Sequence, residues 1–245
     1  MGSPRIALTG GIACGKSLFA KFLRELGIQF LDADDVVHEL EGAGGAAVDP
    51  IVARFGAGVR AADGGIDRTA LAAVAFGDAA ARRDLEAILH PRVRTRLLDF
   101  VDAQARTAAD VSAPVRVAVI PLLFESHFDD DYDIILCIAS PVELQLSRME
   151  CTRGYTRAQA EARLAAQMSA AEKAARADWV VVNDGTPEQL KTAAERTVEW
   201  LNERLKDEHR RRSEDGGRGR SCRKYNASVC GAPSSGSSAE EETRC

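Results

Sequence analysis

Eight residues near the start of the chain, Gly10-Gly11-Ile12-Ala13-Cys14-Gly15-Lys16-Ser17, match the pattern G-x-x-x-x-G-K-S. Their setting gives the match its weight. The apolar run Arg5–Thr9 precedes them, and Leu18, Phe22 and Leu26, with Phe19 and Leu23, follow at helical spacing up to a natural stop at Gly27. A strand, a glycine-rich loop and a helix in that order form a phosphate-binding loop, with backbone N–H groups turned inward toward phosphate oxygens. Glycines at 10, 11 and 15 permit the curl, and the helix N-terminus adds partial positive charge. Gly11, Ile12, Ala13, Cys14, Gly15, Lys16 and Ser17 are therefore expected to hold ATP, with Lys16 reaching the β- and γ-phosphates and the Ser17 hydroxyl ligating Mg²⁺. Cys14 has two readings. A thiol at a helix N-terminus can be made reactive by a lowered pKa, or it can simply fill a small-residue position.

Five short apolar runs read as strands: Arg5–Thr9, Ile28–Leu31, Val115–Ile120, Asp133–Ile138 and Trp179–Val182. All but the second are continuous rather than alternating, as in strands buried on both faces of a parallel sheet. Helical segments lie between them. Ser140-Pro141-Val142-Glu143, Thr156-Arg157-Ala158-Gln159 and Thr186-Pro187-Glu188-Gln189 each carry the capping-box signature of a helix start. The expected fold is thus α/β, a P-loop NTPase fold with a five-stranded parallel sheet flanked by helices. Residues 1–34 and 114–205 would form its nucleotide-binding core, with a lid at about 147–165. Residues 35–113 read as a helical insertion covering one edge of the cleft, with two helices meeting at a break at His90-Pro91. Residues 206–245 lack Leu, Ile, Phe and Trp and read as a disordered tail.

The chain has 41 alanines within a hydrophobic fraction of 45%, and only 5% aromatic residues, so its core must be built from Leu, Ile and Val packed by Ala-rich helices. A net charge of −5 gives no bulk basic balance, and no nucleic-acid partner is expected. No stretch approaches the ~18 apolar residues of a membrane span, and no secretory signal or lipidation motif is apparent. The six cysteines show no metal-binding spacing and read as reduced thiols of a cytoplasmic protein. Oligomeric state is left open.

Asp32 and Asp34 close the second strand run. Two residues apart on an extended segment, they would face the same way, toward the carboxyl end of the sheet where α/β folds bind ligands. Asp32 could then accept a proton from an acceptor hydroxyl; the other reading makes the pair a helix N-cap. Arg148, Arg153, Arg157 and Arg163 cluster around a helix break and suit a lid closing over a transferring phosphoryl group, or else a charged helix surface.

Together these motifs resemble the dephospho-coenzyme A kinase family. The resemblance runs from Thr9-Gly10-Gly11-Ile12 and Gly15-Lys16-Ser17 through Leu26-Gly27, Asp32-Ala33-Asp34, Phe55-Gly56, Asp63-Gly64, Arg68 and Leu89-His90-Pro91. It continues through Pro121-Leu122-Leu123-Phe124-Glu125, Ala165-Ala166-Gln167 and Asn183-Asp184-Gly185, covering about residues 1–200. It implies transfer of the ATP γ-phosphoryl group to the ribose 3′-hydroxyl of dephospho-CoA, the last step of CoA biosynthesis. By that resemblance Asp32 is the base, Lys16 and Arg148 stabilise the transferring group, and Ser17 holds Mg²⁺. Asp34, Arg68, His90 and the insertion would bind dephospho-CoA, and Asn183 would lie near the adenine. Ala13 and Cys14 replace the family's usual Gly and Ser. Thr152 stands where a second lid arginine is usual, with Arg153 one place later. Other small-molecule P-loop kinases would share the fold and Asp32, and an acceptor panel discriminates among them. A GTPase-type switch would need N-K-x-D and D-x-x-G, which the chain lacks.

Overall fold

A computed structural model describes residues 4–75, 77–105, 114–214 and 227–228. Its centre is a parallel sheet of β1 (Ile6–Gly10), β2 (Gln29–Asp32), β3 (Arg116–Val119), β4 (Ile134–Ala139) and β5 (Trp179–Val182). The strand order is β2-β3-β1-β4-β5, with a two-residue strand β6 (Ala227–Ser228) added beside β5. All five expected strand runs are present, displaced by no more than a residue or so at their ends.

Their continuous apolar character has a direct cause. Side chains alternate across a strand, and both faces of this sheet are covered. Ile6 and Leu8 of β1, with Ile134, Leu136 and Ile138 of β4, pack on one face with Phe19 and Leu23 of α1 (Lys16–Glu25) and Leu190, Ala194 and Leu201 of α9 (Pro187–Glu214). Ala7, Ile135 and Cys137 turn to the other face. There they meet the helices inserted between β2 and β3: α2 (Ala33–Glu41), α3 (Val48–Phe55), α4 (Arg68–Ala75) and α5 (Ala79–Ala105). After β4 come α6 (Val142–Arg153), α7 (Arg157–Ala165) and α8 (Ala170–Arg176).

Three expectations are corrected. Pro91 does not break the helix, because α5 runs through it from Ala79 to Ala105. Leu89, Val93, Leu97 and Val101 form one buried stripe across the proline, and Arg92 donates a side-chain hydrogen bond (2.6 Å) to the Ile88 carbonyl beside it. Tertiary packing on the sheet outweighs the local loss of one N–H donor. Second, Ser140 does not cap α6; its hydroxyl is used elsewhere, as shown below. The Thr156–Gln159 box does form, as do both bonds of the Thr186–Gln189 pair. Third, the chain is not irregular from 206 onward. α9 continues to Glu214, and Ala227 and Ser228 pair with Trp179 and Val180; residues 215–226 and 229–245 lie outside the described ones.

The two tryptophans, Trp179 of β5 and Trp200 of α9, stack at 4.8 Å, and the Trp179 indole N–H donates to Thr197 Oγ1 at 2.9 Å. Cys14 and Cys137 are buried free thiols, whereas Cys151 on α6 is disulfide-bonded, so among the described cysteines the reduced-thiol reading holds for Cys14 and Cys137 and not for Cys151; Cys222, Cys230 and Cys245 lie outside the described residues. Among the described residues no helix is long and apolar enough to cross a membrane.

Candidate active site

The glycine-rich loop leaves the carboxyl end of β1, the central strand, whose connection runs to β2 on one side while that of its neighbour β3 crosses to β4 on the other. This is where α/β sheets open a crevice. Two glycines are required by their surroundings. A Cβ on Gly10 would lie 2.4 Å from the Ile138 carbonyl oxygen. Gly15, at φ 85°, caps α1, and a Cβ there would lie 2.3 Å from Asn183 Nδ2.

Ala13 occupies the left-handed region at φ 57°, where a side chain costs about 1–2 kcal/mol. Ala13→Gly removes that strain at the cost of about 0.5–1 kcal/mol of chain entropy. Calorimetry should therefore show Tm raised by roughly 2 °C. A lowered Tm would show that Ala13 carries no strain.

The loop is gripped from outside by groups far away in sequence. Asn183, just past β5, donates from Nδ2 to the Cys14 carbonyl (3.0 Å). Arg148 of α6 donates to the Ala13 carbonyl (3.2 Å), to Ser140 Oγ (3.0 Å) and to the Asn183 carbonyl (3.3 Å). Ser140 Oγ donates to that same Asn183 carbonyl at 2.7 Å. A trans peptide sets its N–H opposite its C=O, so holding the Cys14 carbonyl on Asn183 turns the Gly15 N–H the other way. Asn183, expected near an adenine, thus has its amide on the loop backbone. Arg148, expected on a phosphoryl group, here holds the loop at Ala13 and ties it to Ser140 and Asn183. Ile12 and Ala13 also pack against a small cluster of Leu146, Met149 and Ala160 from α6 and α7, which seats the lid segment on the loop.

Cys14 is fully buried, and burial pushes its thiol above the ordinary range despite the nearby Lys16. This is the inert, space-filling reading of that residue. Lys16, on the first turn of α1, is half-buried with Nζ 3.4 Å from the Gly10 carbonyl. Burial lowers its pKa, while the nearby charge of Asp32 acts the other way.

Asp32 ends β2 and caps α2, with Oδ1 accepting the Asp34 N–H at 2.9 Å. Burial raises its carboxyl pKa, while the Asp34 N–H bond and, to a smaller degree, Lys16 lower it. The helix-cap reading therefore holds for Asp32 itself. The same-side argument for Asp34 fails. The chain turns helical at Ala33, and Asp34 is an exposed residue in the first turn of α2.

In the lid, α6 runs regularly through Arg153, and the Thr152 hydroxyl donates to the Arg148 carbonyl at 2.5 Å. On a regular helix one place is a rotation of about 100°, so exposed Arg153 does not stand in for an arginine at 152. Arg157 pairs with Glu143 (2.8 Å) and Glu161 (2.9 Å), and Arg163 lies over the Tyr155 ring at 4.5 Å. In the insertion, Arg68 pairs with buried Glu41 at 2.8 Å, and the His90 ring meets Phe128 edge-on at 5.6 Å. The structure therefore brings the loop, Lys16, Asp32, Arg148 and Asn183 to one end of the sheet. Within the insertion Arg68 is engaged with Glu41, whereas His90 meets Phe128 of the segment that follows β3.

The dephospho-CoA kinase family model matches residues 5–189. A dephospho-CoA kinase of Anaeromyxobacter dehalogenans is 44% identical over 193 residues, 79% of this chain and 90% of its own. One from Geobacter sulfurreducens is 41% identical over 190 residues, 78% of this chain and 94% of its own. Among solved structures, that of TT1252 from Thermus thermophilus aligns with a TM-score of 0.65 at 31% identity, covering 82% of this chain and 99% of that one. A dephospho-CoA kinase from Campylobacter jejuni aligns at 0.56 and 23% identity, covering 80% and 97%, a likeness of fold.

Proposed function

The chain belongs to the dephospho-CoA kinase family, which carries out the final ATP-dependent step of CoA biosynthesis, and we propose the following division of labour for its residues. The observation that carries the proposal is the placement of Lys16 and Asp32 at the carboxyl end of the parallel sheet. Lys16 opens α1 after the loop that leaves β1, and Asp32 ends β2.

The loop N–H groups and Lys16 bind the ATP phosphates, with Lys16 neutralising charge that spreads over the γ-phosphoryl oxygens during transfer. Asp32 accepts the proton of the ribose 3′-hydroxyl of dephospho-CoA as that oxygen attacks phosphorus. A carboxylate that burial makes more basic suits this task. Arg148 has donors on the loop beside the phosphate site and adds positive charge there. Asn183 acts through the loop backbone and is a positioning residue. Arg68, His90 and Asp34 belong to the acceptor side, and there Arg68 would exchange Glu41 for an acidic group of the acceptor.

Mg²⁺ fits the residues present. Among the described residues no set of three or more His, Cys, Asp and Glu could cage a metal. An ion that keeps several waters and is otherwise held by one hydroxyl and substrate phosphates needs no such cage. Ser17 would be the hydroxyl. When bound, the ion would neutralise β- and γ-phosphate charge.

A coupled ADP-release assay tests the proposal with ATP, Mg²⁺ and, in turn, dephospho-CoA, AMP, adenosine and shikimate. Turnover selective for dephospho-CoA is expected. Absence of turnover with it, from folded protein, would overturn the reading.

A further inference from the structure

Lys173 of α8 is fully buried, with 0% of its surface exposed. Its ammonium donates to the Pro121 carbonyl at 2.6 Å and pairs with Glu125 Oε1 at 2.9 Å. The same Oε1 accepts the Met168 N–H at 3.0 Å. Glu125 Oε2 is buried without a partner among the described residues, so the carboxylate depends on Lys173 for compensation of its charge. A pair with Lys173 fully buried and the Glu125 side chain 24% exposed gives weak net stability at best, because desolvation offsets the attraction. Its placement suggests another use.

Three pieces meet at this pair. Pro121–Glu125 is the turn leaving β3, the strand between β2, which ends at Asp32, and β1, which leads into the loop before Lys16. Val119 is in register with Asp32 on one side and Leu8 on the other, which sets Pro121, two residues on, level with Gly10. Thr9 Oγ1 also donates to the Pro121 carbonyl, at 3.3 Å. Met168 lies between α7, the end of the lid segment, and α8. From α8, Arg176 adds a second hold on the turn, stacking over the Phe124 ring at 4.2 Å.

We propose that Lys173 and Glu125 are positioning residues for phosphoryl transfer, fixing the turn beside Asp32 and Lys16 to the far hinge of the lid. The role rests on the family reading of the site, because it presumes an acceptor bound beside that turn. Lys173→Met or Glu125→Gln alone leaves one buried charge uncompensated and is expected to lower Tm. The double variant removes both charges and is expected to recover most of the lost Tm. It should nevertheless keep kcat about 10-fold down and KM for dephospho-CoA raised several-fold, with KM for ATP nearly unchanged. Recovery of kcat and both KM values along with Tm would overturn the proposal and leave a purely structural pair.

Glu125→Asp keeps both charges and shortens the tie by one methylene. It provides the test should the double variant fail to fold: raised KM for dephospho-CoA at nearly parental Tm is expected, and parental kinetics would overturn the proposal. Amide hydrogen exchange at Met168 is read in the same variants. Faster exchange than in the parent supports the tie whatever the acceptor, and unchanged protection overturns it. A parent protein inert toward dephospho-CoA in the same assay marks failure of the family reading instead.

Discussion

Asp32→Asn is expected to lower kcat by at least ~10², the contribution typical of a general base, while Tm stays at or slightly above the parental value. The structure separates the two outcomes. Asp32 caps α2 through Oδ1, and asparagine caps as well as aspartate. Burial disfavours the Asp32 carboxylate in the folded chain, so a neutral amide loses nothing at neutral pH. Asp32→Ala would confuse the two effects, because the lost cap alone costs about 1 kcal/mol.

The same raised pKa fixes the pH dependence. The base works only when deprotonated, so kcat/KM should fall as pH drops through a value above the ordinary 3.8 of an aspartate. In Asp32→Asn that acid limb should vanish. Steady-state kinetics between pH 4 and 9, alongside thermal melts, check both points. Retained kcat, or an unaltered acid limb, would assign the proton to another group.

Lys16→Met is the second large effect, and its sign on stability is opposite to its sign on activity. Loss of a preorganised cation beside the transferring group should cost roughly 10³ in kcat/KM for ATP. Desolvation is the largest influence on the Lys16 ammonium and acts against its charged form. An isosteric apolar side chain should therefore leave Tm equal or higher. Parallel ADP-release kinetics and calorimetry give the pair of numbers. A fall in Tm matching the loss of activity would make Lys16 a structural residue.

The features legible in the sequence were those encoded locally. The loop and its flanking strand and helix lie within residues 6–25. The continuous apolar strands declare a sheet covered on both faces, and the Thr156 and Thr186 boxes lie within four residues of chain. The errors are non-local. Pro91 sits in an unbroken helix because Leu89, Val93 and Leu97 are held by the sheet. Ser140 carries a capping signature, yet its hydroxyl serves Asn183, 43 residues away. Asp34 misleads because a helix starts at Ala33 and ends the alternation that would have aligned it with Asp32. The Lys173 tie could not be read either, since its bond to Pro121 spans 52 residues and a lone lysine in an Ala-rich helix looks like a solvated one. Ala13 shows the reverse. Its departure from glycine was plain in the sequence, and only the φ of 57° shows that the exchange is strained.

The stacked tryptophans decide how such variants can be followed by light. They are the chain's whole complement of indoles, and they lie at the amino end of β5. The loop and Asn183 are at its carboxyl end, about 13 Å away at the rise of a four-residue strand. Two indoles at 4.8 Å couple their transitions, so near-ultraviolet dichroism carries a signature of their contact that disappears when α9 leaves the sheet. Intrinsic emission and dichroism thus form a built-in unfolding gauge, insulated by distance from whatever occupies the loop.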